Sequence, residues 1–169
     1  MTEASVDEYY ASRDYTIDDA IIYPYDVDPP TAHEDKVVIH AVRDLAGFMH
    51  VTIQIIPFTQ AGTPGSDAAW LIIRAGSYSG GWTGLKTILP ECLWPAIATS
   101  VFFEFSEVHT AVTYFRTARA TFRTDGIVSI RLMDTLTGDP LEHAYDPDSP
   151  IDAAGDITLP IFTFIYPTD

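Results

Sequence analysis

The stretch from Ser100 to Met133 constrains the fold more than any other part of this chain. It is a long run of β-branched and aromatic residues in which apolar and polar side chains alternate, over residues 101–105 for example, with the period of a strand and not of a helix. Near its end stands Asp125-Gly126, a pair that tolerates the positive φ angles of a tight primed turn. The stretch therefore predicts strands of an antiparallel sheet, closed at one end by a two-residue hairpin.

Further strands are predicted on both sides of this stretch. They cover residues 17–25, 36–42, 48–58, 68–74 and 156–166. Pro24 and Pro160 cannot donate a ladder hydrogen bond, so we expect the first of these segments at a sheet edge and the last at an edge or at a bulge. A helical turn is expected only over residues 90–98.

Such a series of strands, separated by turns and with almost no helix, is typical of an all-β sandwich or barrel. Long aromatic strands with uneven loops favour an antiparallel jelly roll of about eight strands. An immunoglobulin sandwich is disfavoured because its Cys…Trp…Cys hallmark is absent. At 169 residues the chain is expected to be one domain. We assign residues 36–169 to the jelly roll and residues 1–35 to an N-terminal arm or edge segment.

Charge is the most unusual global property of the chain. Nine Lys and Arg residues stand against 24 Asp and Glu residues, a net charge of −15. Because such a field repels phosphates, we expect no direct binding to nucleic acid and at most indirect contact with a membrane. Two explanations stay open. The chain is adapted to high salt, where counterions screen self-repulsion, or it is an acidic protein from a GC-rich genome in which Arg replaces Lys.

The ends and hydropathy of the sequence predict a soluble protein. No apolar run reaches the length of a transmembrane segment, and the first residues are polar and acidic. We therefore expect neither a membrane span nor a cleaved signal peptide.

Searches for catalytic or metal-binding patterns predict no site. A cupin-type metal centre needs converging histidines, and the best available pair, His40 and His50, is better explained by two polar-face histidines on neighbouring strands. Gly76 to Gly80 resembles a nucleophile elbow in composition only. Cys92 lies among apolar residues and is expected to be a buried, inert thiol. We expect no catalytic residue, no metal and no cofactor.

Aromatic and basic residues are the candidates for a contact surface. Tyr78, Trp82 and Trp70 could form a stacking platform for a sugar ring, or they could pin a loop to the core or to a neighbouring subunit. The arginines of the long hairpin could dock acidic loops of another copy, or pair within the sheet. The predicted subunit interface contains Tyr9, Tyr10, Tyr15, Tyr78, Trp82, Arg116, Arg119, Arg123 and Arg131.

In strand content over residues 36–166 and in its acidic, lysine-poor composition, the chain resembles the small single jelly-roll capsid proteins of icosahedral, internal-membrane viruses of halophilic archaea. No diagnostic motif supports the resemblance, so no site residue is transferred. It implies a self-assembling coat subunit without catalytic activity, located in the virion or otherwise soluble inside the cell. Its partners would be copies of itself and other capsid proteins. A decoration or tail protein, a carbohydrate-binding β-sandwich and a cupin-like metalloenzyme remain as alternatives.

Overall fold

Ten antiparallel strands form a single sheet in the computed structural model, which describes residues 14–24, 33–60, 70–76, 82–109, 111–133 and 155–168. The strands are β1 (Asp14–Pro24), β2 (His33–Arg43), β3 (Phe48–Ile55), β4 (Phe58–Gln60), β5 (Trp70–Ala75), β6 (Thr99–His109), β7 (Val112–Phe122), β8 (Val128–Met133), β9 (Gly155–Thr158) and β10 (Phe162–Pro167). Their order is β10-β3-β2-β1-β5-β8-β7-β6-β9-β4. The described helical structure is limited to two 3-10 turns, Trp82–Gly84 and Glu91–Leu93.

The stretch that dominates the sequence forms β6, β7 and β8, as its alternation predicts. The eleven residues of β6 pair with the eleven of β7 without a bulge, from Thr99 opposite Phe122 to His109 opposite Val112. Because the side chains of a strand alternate between two faces, Phe105 and Phe122 enter the core while Phe102 points outward. Pattern and burial therefore agree over residues 116–122 of β7, whereas residues 112–115 are all exposed, including Val112 and Tyr114 on the apolar parity.

The turn between β7 and β8 differs from the two-residue hairpin that was predicted. Five residues separate Phe122 from Val128, and Gly126 is the residue there with a positive φ, +77°. Asp125 keeps a negative φ, and its carboxylate accepts hydrogen bonds from the Ile127 backbone N–H and from Arg123. The turn is where Asp-Gly predicts it. Its type is different because only the glycine is left-handed.

Two bends join the ends of the sheet and curl it into a half-barrel. β3 pairs with β10, and after short breaks at Ile56-Pro57 and at residues 159–161 the same two chain segments pair again as β4 and β9. The second pair crosses to the far end of the sheet, where β9 pairs with β6. Pro160 thus breaks a predicted strand in two, as a proline without a donor N–H should.

The core fills the inner face of the half-barrel. Its aromatic centre is Phe122, whose ring centroid lies 5.7 Å from that of Phe164 and 5.5 Å from that of Tyr166. Phe103 stacks on Phe162 at 4.8 Å and brings the first half of β6 beside β10. No hydrogen bond joins these two described strands there, so side chains alone close this part of the seam.

The segment of residues 85–94 covers one end of the half-barrel. Leu89 and Leu93 are buried, and the hydroxyl of Tyr166 donates a 2.7 Å hydrogen bond to the Leu93 carbonyl. The Trp94 indole N–H donates a 2.9 Å hydrogen bond to the Leu89 carbonyl. Cys92, within the predicted helical turn, is exposed and not buried, because the 3-10 turn directs Leu93 inward instead.

The all-β, antiparallel prediction is confirmed, whereas the jelly-roll topology and the count of about eight strands are not. Breaks at Pro57 and Pro160 split two predicted strands and raise the count to ten among the described residues. The predicted arm also differs in part. Residues 14–24 form β1, which pairs with β2 on one side and β5 on the other and so lies inside the sheet and not at an edge. Residues 1–13 and 25–32 lie outside the described residues.

Candidate functional site

A buried ion pair lies on the inner face, where β6, β7 and β9 meet. Glu107 of β6 is 0% exposed and Arg116 of β7 is 8% exposed. The Arg116 Nε lies 3.2 Å from the Glu107 Oε2. The ladder places Tyr114 opposite Glu107, and its ring centroid is 6.0 Å from the Arg116 Cζ. A carboxylate and a guanidinium therefore share a site that is otherwise apolar.

This pair is close but incompletely hydrogen-bonded. The Arg116 Nε–H is not directed at the nearby oxygen, so within the described residues neither Glu107 oxygen nor that nitrogen has a hydrogen-bond partner. Burial raises the pKa of the Glu107 carboxyl to about 7, against the opposing attraction of the Arg116 guanidinium. An acid with such a pKa changes charge near neutral pH.

The outer face of the same strands carries two adjacent arginines. Arg119 of β7 lies directly opposite Arg131 of β8 on one side and opposite Phe102 of β6 on the other. Both arginines are half-buried, whereas Phe102 is 66% exposed. Like charges directly opposite each other repel. We call these three residues the arginine face.

The other predicted interface residues are dispersed. Arg116 lies on the inner face, and Arg123 pairs with Asp125 at 2.6 Å in the turn. Tyr15 is half-buried against the core. Tyr9, Tyr10 and Tyr78 fall outside the described residues, and for Trp82 and Trp70 the structure describes only the backbone. Thus two of the four predicted arginines come together on the outside, and the predicted interface as a whole stays a prediction.

An uncharged apolar strip lies beside the seam between β6 and β10. Ile161 is 61% exposed and Ile165 is 54% exposed. Residues 159–168 contain no charged side chain, in a chain of which 20% of the residues are charged. We call Ile161 and Ile165 the β10 strip.

The two candidate metal-binding histidines do not converge inside the barrel. His50 is opposite Val42 and His40 is opposite Thr52, on the outer face of β2 and β3. The His50 Nε2 is 3.0 Å from the Asp44 Oδ2, which explains its position. Among the described residues, no group of three or more His, Cys, Asp or Glu side chains is arranged to hold a metal ion. The described 3-10 turns are also too short to span a membrane.

The Glu107–Arg116 pair was missed by sequence reasoning, although the sequence contains its signal. Val101, Phe103 and Phe105 share a parity that continues to Glu107, and Tyr114 and Ala118 flank Arg116 on the apolar parity of β7. One acid and one base on the inner parity of two hairpin-paired strands predict a buried ion pair.

Comparisons with known proteins give a distant likeness of fold. The sequence matches no protein-family model and no curated protein. Among solved structures, the reovirus attachment protein sigma1, crystallised with alpha-2,3-sialyllactose, has a TM-score of 0.49 and 11% identity over 92% of this chain and 66% of the sigma1 chain. The C-terminal receptor-binding domain of the avian reovirus fibre sigmaC has a TM-score of 0.46 and 8% identity over 92% of this chain and 75% of that chain. Both scores are too low to carry an inference about what this chain does.

Proposed function

We propose that this protein is a structural subunit of a virus particle, a coat protein without catalytic activity that associates with copies of itself. The observation that carries the proposal is the β10 strip, an uncharged surface with two isoleucines that are each more than half exposed. The assignment to a virus particle, alongside other capsid proteins, extends the resemblance drawn from strand content and charge.

An exposed apolar strip of this kind favours association. Complete burial of one large apolar side chain stabilises a complex by about 1.5–3 kcal/mol before the entropic costs of association. Natural sheets protect exposed strands with charges, and β10 has none; its protection is limited to Pro160 and Pro167 at its ends. The strip is therefore a surface that a neighbouring molecule can cover without removing a charge from water.

The chain's own charge favours a second copy as that neighbour. At a net charge of −15, most contacts between two copies bring carboxylates together. A twofold contact of strip against strip places no charged residue of segment 159–168 in the contact.

Light scattering after size exclusion, at 0.1 M and 1 M NaCl, tests the proposal. Salt shortens the Debye length from about 10 Å to about 3 Å and screens the repulsion between acidic copies, so the mass of the particle should rise with salt. Ile165→Glu introduces a carboxylate into the strip and should leave monomers at both salt concentrations. Ile97→Glu is the matched control: Ile97 is 81% exposed outside the strip, and its replacement should leave association intact.

Two outcomes would contradict this assignment. If the wild-type protein stays monomeric at every salt concentration, self-association is excluded. If Arg119→Glu abolishes association while Ile165→Glu does not, the contact lies on the arginine face, and the assignment of the contact to the β10 strip is wrong.

A further inference from the structure

The half-barrel is closed by a single short ladder, and Glu107 lies at its centre. Three residue pairs join β6 to β9: Ser106 with Thr158, Glu107 with Ile157 and Val108 with Asp156. Among the described strands, β4 pairs with β9 alone and so is attached to this end of the sheet through it. In the described part of the chain, no other ladder connects the β3–β10 side to β6, so this ladder is the clasp of the half-barrel.

The surroundings of Glu107 penalise its charged form. Phe105 and Ile157 are buried beside it, and Phe58 of β4 is buried on the other side of Ile157. A buried carboxylate requires hydrogen bonds to replace those of water, yet both Glu107 oxygens lack them and the Arg116 Nε–H is misdirected. Relative to water, the site therefore shifts the balance towards the neutral acid.

We propose that Glu107 is a proton-controlled latch on the half-barrel. The neutral carboxyl keeps β9 and β4 on β6, and ionisation favours their separation from β6, which admits water to the carboxylate. The latch is independent of the proposed coat function, because it depends only on the clasp and the buried pair.

The pH range follows from linkage. The carboxyl has a pKa of about 7 in the closed state, against an ordinary value of 4.5. The closed state therefore binds the proton more tightly than the open state does. The stabilisation of the closed state by the proton is complete below pH 4.5 and is lost as pH rises towards 7. The opening equilibrium should increase by up to about tenfold per pH unit in that range, on the order of a hundredfold in total, and level off above pH 7.

The described charged and titratable groups facing Glu107 are few. Arg116 and Tyr114 face it from β7, and β9 presents Ile157. Asp156 of β9 is exposed and instead accepts a hydrogen bond from Thr59 at 2.5 Å. His109, two residues further along β6, ordinarily titrates in a similar range, so its replacement is a required control.

Hydrogen exchange measured by mass spectrometry from pH 5 to 8.5, corrected for intrinsic exchange rates, tests the latch. In wild type, protection of residues 106–108 and 155–158 should fall as pH rises to 7, while protection of residues 118–122, in the centre of the sheet, stays constant. Glu107→Gln keeps the shape without the charge and should give high protection at every pH. His109→Gln and Asp156→Asn should keep the wild-type pH profile.

The variant Arg116→Met distinguishes a pair whose ionisation controls opening from a pair that only stabilises the fold. Removal of the guanidinium attraction raises the Glu107 pKa in the closed state further. The loss of protection should therefore still begin near pH 4.5, but continue to a higher pH before it levels off and become larger in total. The latch is refuted if Glu107→Gln retains the wild-type profile, if His109→Gln abolishes it, or if wild-type protection is independent of pH. Should Glu107→Gln fail to fold, the wild-type profile and the direction of the Arg116→Met shift decide the question.

Discussion

The turn between β7 and β8 yields the sharpest stability prediction, because Gly126 has two separate reasons to be glycine. Its φ is +77°, a left-handed conformation that costs an L-residue about 1–2 kcal/mol. A Cβ atom there would also lie 2.5 Å from the Trp94 Nε1 and contact two further atoms of the indole ring. Gly47, with φ of +88°, shares the first reason only. A Cβ atom added at Gly47 would lie 3.9 and 4.0 Å from its two nearest neighbouring atoms, which is ordinary van der Waals contact.

These differences set the expected magnitudes. Gly47→Ala should reduce the free energy of unfolding by about 1–2 kcal/mol through backbone strain alone. Gly126→Ala adds displacement of the Trp94 ring, which costs about 1–3 kcal/mol for overpacking and about 1 kcal/mol for the strained indole hydrogen bond to Leu89. The total for Gly126→Ala is therefore about 3–6 kcal/mol.

Urea unfolding separates the backbone strain from the clash with Trp94. Gly47→Ala and Gly126→Ala are each measured in the wild-type protein and in a Trp94→Leu background. With leucine at position 94 the clash is removed, and Gly126→Ala should cost about as much as Gly47→Ala does. The non-additivity of the Gly126 and Trp94 substitutions gives the energy of the clash. Equal costs for the two glycine substitutions in the wild-type background, or an unchanged Gly126→Ala cost in the Trp94→Leu background, would refute this reasoning.

Two further predictions concern single hydrogen-bonding groups. Tyr166→Phe removes the donor to the buried Leu93 carbonyl and should destabilise the fold by about 1–3 kcal/mol in urea unfolding, whereas Tyr114→Phe, on an exposed ring, should change little. Asp44 accepts hydrogen bonds from His50, Phe48 and Ala46, and the His50 contact is the main reason that its pKa is lowered. Its stabilising effect is present above the ordinary pKa of an aspartate and lost as pH falls through the lower folded value. Thermal unfolding from pH 2 to 6 should therefore show a weaker acid dependence in Asp44→Ala, and an identical dependence would contradict the assignment.

Local patterns in the sequence predict the strands well and their partners poorly. The alternation over residues 100–133 reflects one buried and one solvated face, so it predicts β6 and β7 correctly. It also predicts the buried Ala118, Ala120 and Phe122, whereas Val112 and Tyr114 of the same parity are exposed. The edge position expected for residues 17–25 is wrong, because Pro24 occupies the last position of β1 while the residues before it pair on both sides. The surroundings of Cys92 are apolar in sequence, yet the 3-10 turn exposes its side chain.

The candidate sites show the same contrast between features that local sequence patterns predict and features that depend on distant parts of the chain. Glu107 and Arg116 could have been paired from parity and hairpin register, which are local properties. That Glu107 also lies at the clasp depends on β9, about fifty positions further along the chain, and no local pattern predicts that pairing. The β10 strip is likewise visible as an uncharged sequence, but its exposure is visible only in the fold.

The sequence by itself determined an antiparallel all-β chain, the face of each long strand that enters the core, and the acidic field around it, because these follow from side-chain period and charge. The tertiary structure decided the strand order, the bends at two prolines that bring β9 onto β6, and the burial of a single carboxyl beneath that contact. Those features arise from contacts between residues far apart in the chain, whose energies depend on which surfaces meet and not on the residues next to them.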